Sequence, residues 1–174
     1  MGLSLWLVPP EPQSTQISRI MSFKTNSAKS PASFPRFHPH ITLSSVSSDT
    51  DISNLRSAVP AGQVKVPIHF KSVDVGDKDN LKEALGEDTV PPLAHVSLFY
   101  IDDVDAGERQ KIFEQLNEGG RIISKDDHSV ALDCTEGDAR GQDVIDGFVA
   151  CEIWIALCDG PVEAWTIKDK IQLK

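Results

Sequence analysis

The chain predicts an α+β fold, and three observations carry that expectation. Short apolar or alternating runs of strand type lie beside runs with helical apolar spacing. The two kinds do not follow the strict strand–helix–strand order of a doubly wound sheet. Pro and Gly punctuate the runs at short intervals, with no low-complexity tract and no short-period repeat. At 174 residues the chain is expected to form one domain, 1–174, with enough core to fold without a disulfide staple.

Leu3 to Val8 reads as a short apolar strand, stopped by Pro9 and Pro10. Residues 13–29 are polar with Ile17, Ile20 and Met21 at helical spacing, which predicts a modest helix. Ser30 to Pro39 is a Pro-rich loop, followed by a strand over His40 to Ser45. Asp49 to Ala58 reads as a short helix with an Asp or Ser cap. Gln63 to Val75 is a long strand candidate, because Val64, Val66, Ile68 and Phe70 alternate with polar neighbours. Asp79 to Gly86 predicts another short helix, Val90 to Pro92 a loop, and His95 to Ile101 a strand. Asp105 to Glu118 carries the strongest helical pattern and ends at Gly119 and Gly120. Arg121 to Ser124, His128 to Leu132, Phe148 to Leu157 and Ala164 to Ile167 supply further strands. Gly137 to Gly147, acidic and Gly-containing, reads as a mobile surface loop.

Hydrophobic residues make up 40% and charged residues 25%, as in ordinary globular domains. The formal net charge of −9 argues against a general nucleic-acid binder, though not against a small positive pocket. Cys134, Cys151 and Cys158 show no zinc-ligand spacing, so reduced thiols are expected; nothing in the spacing demands a Cys151–Cys158 bond. The N-terminal apolar run lacks a basic flank and is too short for a signal peptide or a membrane span. A cytoplasmic protein without an integral membrane segment is expected; peripheral attachment to an internal membrane such as the Golgi is compatible with it.

Two predicted strands echo each other. His40-Ile-Thr42-Leu and His95-Val-Ser97-Leu each carry His, an apolar residue, a hydroxyl and Leu, and each follows a Pro-containing loop. Alternation along a strand puts His40 with Thr42, and His95 with Ser97, on one face, with apolar residues behind. One His-x-Thr is usually incidental; two in one domain are a stronger signal. His69 and His128 lack the same frame, and His38 reads as a solvated loop residue. Opening a phosphodiester needs a base and an acid, which imidazoles supply near neutral pH. It also needs donors to the phosphate oxygens, which Thr42 and Ser97 supply. Such a clamp needs no metal and no cofactor, and the chain shows no P-loop, no GxSxG elbow and no HExxH motif.

The paired motifs resemble the 2H phosphoesterase superfamily, and within it the fungal 2′,3′-cyclic-nucleotide 3′-phosphodiesterases. Four segments carry the likeness: Leu3 to Pro10 (LSLWLVPP), Phe37 to Leu43 (FHPHITL), His95 to Tyr100 (HVSLFY) and Cys158 to Trp165 (CDGPVEAW). The resemblance implies a bilobal α+β fold, with two antiparallel sheets related by a pseudo-twofold axis around a central cleft. It implies hydrolysis of nucleoside 2′,3′-cyclic phosphates to 2′-phosphates, with ADP-ribose 1″,2″-cyclic phosphate from tRNA splicing as a related substrate. It makes His40 and His95 the catalytic pair, and Thr42 and Ser97 the phosphate ligands. Near symmetry hides which histidine is the acid. By analogy His40 protonates the leaving 3′-oxygen and His95 activates water.

Trp6 reads either as a base-stacking cleft wall or as core, and Tyr100 matches a family tyrosine. Strict alternation turns Tyr100 away from His95 unless a bulge redirects it. The chain departs from the family in a short 43–94 segment, where Asp77 runs almost directly into Lys78, and in Ala94, where a proline is usual. The expected partner is a small cyclic nucleotide rather than long RNA, acting on a monomer. The alternatives are another RNA-end reaction of the superfamily and a nucleotide-binding protein without turnover.

Overall fold

The computed structural model describes residues 2–24, 27–76 and 93–174. The predicted helix at Asp79 to Gly86 and the loop at Val90 to Pro92 lie outside these residues. Among the described residues the chain is mixed α and β, with every strand pairing antiparallel.

The main sheet joins β1 (Gly2–Val8), β2 (Ile41–Ser47), β8 (Glu152–Leu157) and β9 (Thr166–Gln172) in the order β2-β1-β8-β9. Every residue of β1 is buried. The central strand is covered on both sides, and its near-continuous apolar run reflects that. Leu3, Leu5 and Leu7 enter the main core with Ile153 and Ile155. Trp6 and Val8 point to the other face and pack with Ala156 and Cys158. Each fully buried side chain of this kind contributes roughly 1.5–3 kcal/mol.

A two-stranded sheet pairs β3 (Val66–His69) with β7 (Gly147–Ala150), and a three-stranded sheet has the order β4-β5-β6. These last are Ile122–Ser124, Val130–Asp133 and Val144–Ile145. Phe70 stitches the two sheets: its N–H donates to Asp146 O at 2.9 Å and its carbonyl accepts from Val130 N at 3.3 Å. At Cys151 the chain leaves the β3–β7 pair and enters the main sheet, so the predicted 148–157 strand is two strands serving different sheets.

Among the described residues three helices cover the sheets: α1 (Gln13–Met21), α2 (Ile52–Ala58) and α3 (Ala106–Glu118). Asp51 caps α2, accepting from Ser53 N at 2.7 Å. After α3 the chain turns at Gly120, with φ of 67°, and Arg121 N donates back to Leu116 O at 2.8 Å. No described helix is long and apolar enough to cross a membrane.

Several sequence expectations need correction. The helix predicted over 13–29 stops at Met21; further on, the backbone N–H groups of Lys29 and Ser30 donate to the Asp105 carboxylate instead of to a helical ladder. The strand over Gln63 to Val75 shrinks to Val66–His69, because its partner β7 is only four residues long. The tail strand starts at Thr166, after a 3-10 turn at Val162–Ala164, and runs to Gln172. The 137–147 segment is pinned rather than loose. Arg121 donates to Gly137 O, Arg19 pairs with Asp143, and Val144–Ile145 forms β6. All three cysteines are free thiols, Cys134 and Cys158 buried and Cys151 half-buried.

Candidate functional site

The two motifs meet at one point of the main sheet. Ile41, the first residue of β2, makes an isolated antiparallel bridge with Val96. The strand expected over His95 to Ile101 is therefore a single bridge, after which Tyr100 O accepts from Phe34 N at 2.8 Å. That bridge lays the His95-Val-Ser97 segment alongside the start of β2, next to His40 and Thr42. His95 acts electrostatically on His40, as this proximity requires.

The two imidazoles are held alike. His40 Nδ1 lies 2.7 Å from His38 O, and His95 Nδ1 lies 3.0 Å from Leu93 O. A carbonyl only accepts, so in both rings Nδ1–H donates and Nε2 carries the free lone pair of the neutral form. In each case the acceptor sits two residues upstream, so the two motifs repeat in hydrogen bonding as well as in sequence.

Their surroundings differ. His40 is 5% exposed, whereas His95 is exposed. Trp6 stacks on His40 with ring centroids 3.8 Å apart and planes 14° apart. The edges of Phe37 and Trp165 close in at 6.1 and 6.4 Å. Burial pushes the His40 pKa down to about 4, the His38 carbonyl bond opposes this, and the charges of His38 and His95 add to the lowering. The indole face attracts a cation by about 0.5–2 kcal/mol. Burial can shift a histidine by several units at about 1.4 kcal/mol each, so it outweighs that attraction.

Trp6 itself is 3% exposed, so the face expected to stack on a base is occupied by His40. It belongs to a row across all four strands of the sheet: Thr42, Trp6, Trp154, Lys170. Tyr100 is on the site side after all. Strand alternation does not govern a chain that pairs only at Val96, and the phenol meets the Ser97 hydroxyl. Burial raises the Tyr100 pKa, the Ser97 hydrogen bond opposes this, and the Cys158 thiol adds to it. Tyr100 also lies 4.6 Å from Phe37 and 6.1 Å from Trp165, ring to ring.

His38 is not the solvated residue expected. Its ring stacks on Trp154 at 4.4 Å, and Lys170 Nζ sits 3.9 Å from the centroid of the same indole. Desolvation lowers the His38 pKa, against the raising influence of Glu11. A cavity of about 310 Å³ opens beside it, between Pro10, Glu11, Ser14 and Trp154, away from His95.

The structure thus brings His40, Thr42, His95, Ser97, Tyr100 and Trp6 together. Phe37 and Trp165 belong to the site as well; the sequence signal for them was their position inside two of the four segments that carry the family likeness. Among the described residues no three His, Cys, Asp or Glu side chains converge as metal ligands would. No protein-family model matches this chain, and no curated protein matches it either.

Proposed function

We propose that this protein hydrolyses nucleoside 2′,3′-cyclic phosphates to nucleoside 2′-phosphates with two histidines and no metal, as the 2H phosphoesterase likeness implies. The observation that carries the proposal is the matched pair of Nδ1-to-carbonyl bonds on His40 and His95. It leaves the Nε2 of each ring to take or give a proton. One Nε2 takes a proton from water, the other gives one to the departing ribose oxygen, and Thr42 and Ser97 donate to the phosphate. The bilobal architecture belongs to this proposal, with the β2-β1-β8-β9 sheet as one lobe and the Phe70-stitched sheets as the other. The cyclic phosphate of ADP-ribose offers the same five-membered ring and is the second substrate to try. The net charge of −9 favours such small ligands over long RNA.

Incubation with 2′,3′-cyclic nucleotides, with the product isomers separated, tests the proposal. It predicts the 2′-phosphate alone, and a large loss of rate in Thr42→Ala and Ser97→Ala. A second reading, nucleotide binding without turnover, draws on the single bridge that holds the second motif. It predicts calorimetric binding of the cyclic nucleotide with the substrate recovered intact.

A further inference from the structure

Two motifs of nearly one sequence place their histidines in opposite environments. His40 has an indole against its face, Phe37 and Trp165 at its edges and Nδ1–H tied to His38 O. None of the three enclosing rings offers a hydrogen bond from its face to replace the water an imidazolium needs. The titratable groups that bear on it are His38, two residues back along the chain, and His95 across the bridge; both repel a second positive charge. Beyond Phe37 and Trp165 lies the Tyr100 phenol, itself buried and near the Cys158 thiol. Among the described residues no carboxylate acts on His40 to hold a proton there. His95 stands in solvent, where an imidazolium keeps its hydration.

We infer that Trp6, with Phe37 and Trp165, makes His40 the neutral, proton-accepting histidine of the pair and leaves the donor's part to His95. This rests on the proposed hydrolysis and reverses the roles that family analogy assigns. In the forward step His40 Nε2 takes a proton from water as the water oxygen bonds to phosphorus. The phosphorus–3′-oxygen bond breaks with its electron pair on oxygen, and His95 Nε2 delivers the proton that the oxygen needs. The proton on His40 then returns through solvent to His95, so the pair ends as it began. Trp6 lies against the face of the His40 ring and acts through it, as a positioning residue that sets the orientation and proton affinity of that imidazole.

Histidine Cε1 resonances of the free protein, assigned with His40→Asn and His95→Asn, test this without any substrate. His40 is expected to titrate near its value of about 4, well below the ordinary 6.5. Trp6→Leu is expected to raise it by about one unit or more, and Trp6→Phe, which keeps an aromatic face, by less. The acid limb of kcat/KM for 2′,3′-cyclic AMP moves by the same amount in the same variants. His40 titrating at or above the ordinary 6.5 overturns the inference, as does a folded Trp6→Leu that leaves His40 unmoved. Those results with an active enzyme leave the proposed hydrolysis standing. The expected His40 titration in a protein that turns over no cyclic phosphate overturns the hydrolysis instead, and the assignment of roles with it.

Discussion

Acidification should destabilise this protein through His40. The folded ring has a pKa of about 4 against 6.5 unperturbed. Between those values the unfolded chain binds more protons than the folded one, so stability rises with pH across the window. The contribution is fully present above about pH 6.5 and is lost as pH falls through about 4. At about 1.4 kcal/mol per pKa unit, going from about pH 8 to about pH 5 removes ~2 kcal/mol. His38 adds a loss of the same sign, since its pKa is also lowered, whereas Asp133 and Asp105 are lowered from 3.8 and act further down. A variant that cannot titrate isolates the His40 share. His40→Asn keeps an N–H for the His38 carbonyl and carries no proton equilibrium. Urea unfolding of both proteins at the two pH values is the assay. The wild type should lose ~2 kcal/mol more than His40→Asn. Parallel losses in the two proteins would show that the folded protein does not hold this ring neutral, and would refute the reasoning.

Other consequences follow from the packing and the site. Ile155→Ala empties a position that is 0% exposed on the central strand pair and should cost about 2–5 kcal/mol in denaturant unfolding. Gly147→Ala puts a Cβ 1.9 Å from Ile68 O, so it should part β3 from β7 and cost about 1–3 kcal/mol, read as lost amide protection at Ile68 and Phe148. Asp105→Ala frees the N–H groups of Lys29 and Ser30 and the Ser33 hydroxyl, and hydrogen exchange of both amides should quicken while α3 stays protected. Since those same bonds lower the Asp105 pKa, the tether should survive mild acid and give way only as pH falls through that lowered value.

Much of the fold was legible in the sequence where local chemistry decides structure. The apolar run of β1, the Asp51 cap of α2 and the Gly119–Gly120 stop of α3 each act within a few residues. Expectations failed where a distant partner decides. The backbone after α1 is claimed by Asp105, far along the chain. The length of β3 is set by β7, and Cys151 divides one apolar run between two sheets. The site was legible as a pair of motifs, because the echo of His40-x-Thr42 in His95-x-Ser97 is itself a sequence pattern. Its asymmetry was not: Trp6 covers His40 because β1 pairs with β2, and Trp165 arrives from the far end of the chain. The place of Tyr100 depended on where a strand stops, which alternation alone does not tell.

Hydrolysis of 2′,3′-cyclic AMP in excess EDTA by wild type, His40→Ala and His95→Ala tests the central claim most directly. The account predicts turnover that chelation leaves unchanged, and a fall of about 10²–10⁴ in kcat for each variant. Because the two rings act as a unit, the double variant should be little worse than either single one. Turnover that vanishes in EDTA, or that survives the loss of either histidine, would contradict it.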